Sequence, residues 1–138
     1  MRAVLDANVL ISALLSRKGA SARLLMAWQE GRFELIVSPA LLAELGRALA
    51  YPKLRRLITQ EDAEAFVAWL FRSASLARDP DALPSVRSID PDDDYLLTLA
   101  ADQHAALVSG DRHSLALAGR LPVQTPAEFL AVVESAKT

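Results

Sequence analysis

Ala3-Val4-Leu5-Asp6-Ala7-Asn8-Val9-Leu10-Ile11-Ser12 decides how the chain is read. Its first half is a short apolar run containing a β-branched residue, the pattern of a buried strand. Its second half switches to the helical spacing of Val9, Leu10, Ala13 and Leu14. A carboxylate, Asp6, stands at the changeover. In an open α/β sheet, ligands bind outside the carboxyl ends of the strands, so an acid there is placed for chemistry. Asp6 and Asn8 are also good helix N-caps, and on this stretch alone capping accounts for either of them.

The same alternation continues downstream. After a turn at Ser16-Arg17-Lys18-Gly19, Ser21 starts a helix through Leu24, Leu25 and Trp28 that stops near Gly31. Phe33 to Val37 reads as the second strand, and Ser38-Pro39 opens a helix reaching about Ala50. A short basic helical piece, Lys53 to Ile58, leads to Thr59, which caps a helix carrying Ala63, Phe66, Val67 and Leu70. Ala74 to Ala77 is a short third strand. Arg78 to Pro91, with three prolines, is the most loop-like segment. Asp90 to Asp94 opens a helix continuing toward His104, and Ala106 to Ser109 is a fourth strand ending at Gly110-Asp111. A small helix over Arg112 to Ala118, a last strand at Val123 and a helix opened by Thr125-Pro126 complete the chain. Strands alternating with helices mean an α/β protein with a mostly parallel sheet, read as one domain over residues 1–138.

Composition narrows the function. There is no cysteine, so no disulfide and no thiolate metal site. The chain is 52% hydrophobic, yet no run approaches the roughly 20 apolar residues that cross a bilayer. Only Arg2 separates Met1 from the first strand, which reads against a secretory leader and makes the cytoplasm the expected location. A formal charge of −2 argues against a surface wholly dedicated to nucleic acid. Setting four of the 17 acids aside in one pocket leaves 13 against 15 bases, so local basic patches remain open to the exterior. The high apolar content leads to the expectation that part of the surface is covered by another chain.

Glu44 is the most informative single residue. It falls on the face of its helix that carries Leu41, Leu45 and Ala48, where a carboxylate is expensive unless a cation or donors meet it. Asp6 and Asp111 each end an apolar strand, and in a parallel sheet both emerge at one edge. Asp92, Asp93 and Asp94 start a helix, and helix starts lie at that edge too; the helix dipole alone also favours acids there. Converging carboxylates repel unless a hard cation joins them, and carboxylate oxygens with retained waters are what Mg²⁺ or Mn²⁺ prefers. Such a pocket admits a phosphodiester, generates hydroxide and stabilises the leaving oxygen.

Four stretches taken in order, Leu5-Asp6-Ala7-Asn8-Val9-Leu10, Leu41-Leu42-Ala43-Glu44-Leu45, Asp92-Asp93-Asp94-Tyr95-Leu96-Leu97 and Val108-Ser109-Gly110-Asp111, resemble the PIN-domain ribonucleases. The nearest likeness is to the bacterial VapC-like toxin components of toxin–antitoxin pairs. The resemblance implies a three-layer α/β/α domain with a central parallel five-stranded sheet in order 3-2-1-4-5. It implies that Asp6, Glu44, Asp94 and Asp111 form an acidic quartet binding Mg²⁺ or Mn²⁺, with Asp93 the alternate at the third position. It further implies cleavage of single-stranded RNA, a homodimer and inhibition by a small antitoxin.

Around the quartet, Asn8, Ser38 and Ser109 are candidates to bind a metal water or orient a carboxylate, with capping the competing role for Asn8 and Ser38. Arg112, His113, Arg17 and Lys18 are candidate substrate contacts, as are Lys53, Arg55 and Arg56 for an RNA backbone. Trp28 and Trp69 are read as packing residues. Three other readings compete. A haloacid-dehalogenase-like phosphatase wants a second aspartate where Asn8 stands, and a receiver domain wants a lysine where the last strand offers Gln124 and Thr125. A nuclease-dead module would bind RNA without turnover.

Overall fold

The structure is a computed structural model that describes residues 1–80, 91–110 and 123–136, and of residues 91–94 the backbone alone. Five strands form one sheet: β1 (Arg2–Leu5), β2 (Glu34–Val37), β3 (Ser75–Leu76), β4 (Ala106–Val108) and β5 (Val123–Gln124). Their order is β3-β2-β1-β4-β5, and every pairing is parallel. That order sets the receiver-domain reading aside, because receivers wind 2-1-3-4-5.

Ala3, Val4 and Leu5 are all fully buried, as are Leu35, Ile36 and Val37. Successive strand residues face opposite sides, so burial of every one means that helices cover both faces. Among the described residues the helices are α1 (Ala7–Leu15), α2 (Ala20–Gln29), α3 (Pro39–Leu49), α4 (Pro52–Arg55), α5 (Gln60–Ser73), α6 (Pro91–Asp102) and α7 (Pro126–Ser135). α1 packs on α2 and α3, α2 also on α7, and α3 on α5. Leu10, Leu24, Leu41, Leu45, Leu49, Leu70, Leu99 and Phe129 are the largest helical side chains fully withdrawn from water.

Local chemistry sets the helix starts. Asp6, Ser38, Thr59 and Thr125 are N-caps whose side chains accept amide hydrogens, and Pro39 and Pro126 occupy the first turns that follow Ser38 and Thr125. α2 differs from expectation. It begins at Ala20 after Gly19, without a side-chain cap, and Ser21 is turned into the protein instead of capping. Gly31, at φ +79°, lets the chain leave α2 through the left-handed region. Trp28 and Trp69 pack against each other with ring centroids 5.0 Å apart, at the margin of the core. No described helix is long and apolar enough to cross a membrane.

Candidate metal centre at the carboxyl edge of the sheet

Register puts Val4 opposite both Ile36 and Leu107, so β1, β2 and β4 end side by side. The residues that follow them are Asp6, Ser38 and Ser109, all three buried. Backbone bonds carry the ladder past the strand ends: the Asp6 amide donates to the Val108 carbonyl at 3.1 Å, and the Ser109 amide to Gln124 at 2.9 Å. The edge is therefore rigid before any side chain is considered.

Asp6 combines both roles that its sequence position allows. One carboxylate oxygen accepts from the Val9 amide at 2.9 Å, capping α1, and the other accepts from the Ser109 hydroxyl at 2.5 Å. The cap and the serine together orient the carboxylate. With Asp6 as the cap, Asn8 is released from that duty. Asn8 is exposed and lines a cleft of about 480 Å³ together with Ala40, Glu44, Arg47, Tyr51 and Tyr95. Ser38 is the cap of α3, its oxygen accepting from the Leu41 amide at 3.3 Å.

Glu44 is half-buried, facing this cleft from the rim of the α3 stripe and not enclosed in the core. The Tyr95 phenol donates to its carboxylate. Burial pushes the Tyr95 phenol well above its ordinary range, and the hydrogen bond to Glu44 and the charges of Glu44 and Asp79 push the same way; Arg47 opposes them. The phenol therefore stays protonated and remains a donor at any ordinary pH.

Asp79, in the loop just past β3, is another acid at the carboxyl edge. One of its oxygens accepts from the Ala40 amide in the first turn of α3 at 3.0 Å, and the other is buried without a hydrogen-bond partner among the described residues. Tyr95 and Arg47 also escaped the sequence reading, although Arg47 stands three residues beyond Glu44, on the same helix face.

The remaining candidates fall elsewhere. Arg17 and Lys18 are exposed on the turn after α1, about 13 Å along that helix from Asp6, and they do not line the cleft. Lys53 and Arg56 are exposed in and just after α4, beside Tyr51, whereas Arg55 lines a separate apolar groove between α3 and α5. Asp92, Asp93 and Asp94 lie in the first turn of α6, with their side chains outside the described residues. Asp111, Arg112, His113 and the small helix read after Asp111 lie outside them as well. Among the described residues no three acids or histidines stand close enough to hold a metal ion. The donors present are all oxygens, anionic and oriented, which fits a hard divalent cation and not a soft one.

Comparison with known proteins agrees with this architecture. Residues 2–113 match the family described as PIN domain. The uncharacterized protein MJ1680 of Methanocaldococcus jannaschii is 29% identical, covering 94% of this chain and 90% of its own length. Among solved structures, PAE2754 from Pyrobaculum aerophilum superposes with a TM-score of 0.67 at 20% identity, covering 98% of this chain and 90% of its own. VapBC2 from Rickettsia felis, bound to a DNA fragment from their promoter, gives 0.64 at 15% identity, covering 91% and 98%. A PilT N-terminus domain protein, SSO1118 from Sulfolobus solfataricus, gives 0.52 at 17%, covering 96% and 93%. PIN domains are generally nucleases and typically use divalent metals. With a parallel 3-2-1-4-5 sheet, an acid fixed at the end of β1 and a matching profile over residues 2–113, the chain belongs to the PIN-domain family and is VapC-like in fold.

Proposed function

We propose that this protein is a metal-dependent endoribonuclease that hydrolyses single-stranded RNA, with Asp6, Glu44, Asp94 and Asp111 holding Mg²⁺ or Mn²⁺ and Asp93 the alternate third ligand. The observation that carries the reading is Asp6: a carboxylate 7% exposed, held by Val9 and Ser109 at the sheet edge where three strands end together. A divalent ion there supplies positive charge for the phosphodiester and lowers the pKa of a bound water toward neutrality.

The chain's own groups do the rest. Ser109 and the Val9 amide fix the plane of the Asp6 carboxylate, so little order is lost when a cation is captured. Tyr95 holds Glu44 toward the cleft, and because the phenol does not ionise it never competes as an anion. The Asn8 amide, exposed at the same cleft, offers a donor and an acceptor for a water or a phosphate oxygen. No side-chain nucleophile is required; water attacks in line, leaving a 5′-phosphate and a 3′-hydroxyl.

The same reading makes the protein the toxin of a toxin–antitoxin pair, with a small antitoxin and a second copy of the chain as partners. The apolar groove lined by Pro39, Leu42, Gly46, Val67 and the exposed Phe71 is the surface that such a partner would cover. The enzymatic part is tested by incubating end-labelled single-stranded RNA with the protein in Mn²⁺ or in EDTA, beside Asp6→Asn purified identically. Cleavage only by the native chain and only with metal is expected. Cutting that survives chelation, or that Asp6→Asn retains, overturns it.

A further inference from the structure

The cleft at Glu44 continues past the acids. Glu44 and Arg47 stand three residues apart on one face of α3, and Tyr51, the N-cap of α4 just past the end of α3, lines the same cleft. The lining of the cleft thus offers the Glu44 carboxylate, the Arg47 guanidinium and the Tyr51 phenol ring.

The two distal side chains are available. Arg47 is exposed and forms no salt bridge among the described residues; one oxygen of the Glu44 carboxylate beside it accepts from the Tyr95 phenol. Tyr51 is 65% exposed, and its ring packs on no other aromatic ring among the described residues. Solvent-facing tyrosine rings usually sample many orientations, but here the backbone is pinned. The Tyr51 amide donates to Ala48, its carbonyl accepts from Leu54 and Arg55, and Pro52 restricts the residue before it. A ring of this size that lines a polar cleft, on backbone anchored by a helix end on each side, offers a face for stacking. About 480 Å³ lies within the roughly 300–1,000 Å³ of pockets that enclose a small ligand, room for one nucleotide.

We infer that Arg47 and Tyr51 form a nucleotide subsite beside the acidic centre, Arg47 holding the phosphate next to the scissile one and Tyr51 stacking on its base. This rests on the nuclease reading of the cleft. Stacking on a ring is indifferent to base identity and requires an unpaired base, so the subsite selects single strands over duplexes without reading sequence. Lys53 and Arg56, exposed immediately beyond Tyr51, continue the positive track along the strand's backbone.

The test uses the full chain and a fluorescent single-stranded RNA of mixed sequence, with binding by anisotropy in the Asp6→Asn background and cleavage kinetics in Mn²⁺. Tyr51→Ala is expected to weaken binding roughly five- to hundredfold and to raise KM far more than it lowers kcat, while Tyr51→Phe and Tyr51→Trp keep native affinity. Arg47→Gln reduces the slope of log K against log salt by about 0.7, the loss of one phosphate contact on a single strand. Native affinity in Tyr51→Ala overturns the inference, as does a loss in Tyr51→Phe equal to that in Tyr51→Ala, duplex RNA bound as tightly as single strands, or no binding of the probe. A chain that binds with this dependence on Tyr51 but never cuts RNA would sink the nuclease reading alone.

Discussion

Asp6 is both a structural cap and a candidate ligand, and substituting it two ways separates those roles. Asp6→Ala removes the acceptor for the Val9 amide, a cap worth about 1 kcal/mol. It also leaves the Ser109 hydroxyl, in a residue 1% exposed, without its acceptor at Asp6, costing about 1–3 kcal/mol more. The sum, about 2–4 kcal/mol, is a large share of the roughly 5–15 kcal/mol that keeps a domain folded. Asp6→Asn behaves differently. Asparagine caps as well as aspartate, and its amide can still meet Ser109, so its stability stays within about 1 kcal/mol of native. It loses the negative charge. Urea denaturation monitored by circular dichroism measures both variants, and RNA cleavage in Mn²⁺ measures the charge. The expected pattern is Asp6→Ala unstable, Asp6→Asn stable and inactive. Equal stability of Asp6→Ala and native protein would refute the double anchoring, and an active Asp6→Asn would refute the ligand role.

Four further outcomes follow from the same geometry. Tyr95→Phe leaves Glu44 without its phenol donor and is expected to raise the Mn²⁺ concentration needed for half-maximal cleavage severalfold, measured by metal titration. Because the Tyr95 pKa is raised on folding, its contribution is fully present below about pH 10 and is lost as pH rises beyond that; urea midpoints above pH 10 should fall more steeply for native protein than for Tyr95→Phe. Asp79→Ala frees the Ala40 amide at the start of α3 and is expected to lower stability by about 1 kcal/mol in urea denaturation. Leu45→Ala, at a fully buried position one residue beyond Glu44, should cost about 2–5 kcal/mol by the same measurement, through the cavity left in the core.

Asp6 was legible because two periodicities meet at it, and the alternation of strands and helices told that the sheet was parallel. Strand order was not in that pattern. Nothing in local spacing says that β1 lies between β2 and β4; the order came from the resemblance of four acidic motifs to one family, and the sheet agrees with it. Contacts between distant residues were the hardest to foresee. Tyr95 meets Glu44 across 51 positions and Ser109 meets Asp6 across 103, and neither separation leaves a local signature. Ser109 was still reachable because it ends an apolar strand. Tyr95 carries no signal of its role, since a tyrosine beside three aspartates reads as ordinary helix. Asp79 was hidden by the prolines that follow it, although the strand-end rule that found Asp6 applies to it equally. Arg17 and Lys18 are close to Asp6 in sequence, but α1 carries them to its far end. Asn8 could not be told from Asp6 as a cap until the backbone showed which one precedes the first turn.

On the proposed function, acids from separate parts of the chain share a divalent cation at the carboxyl edge of the sheet. Calorimetric titration of the native chain with Mn²⁺, beside Asp6→Asn, Glu44→Gln and Asp111→Asn, tests it most directly. One or two bound ions per chain, lost in Asp6→Asn and Asp111→Asn and weakened in Glu44→Gln, is the predicted result. Absence of binding in the native chain, or binding that these substitutions leave unchanged, would contradict it.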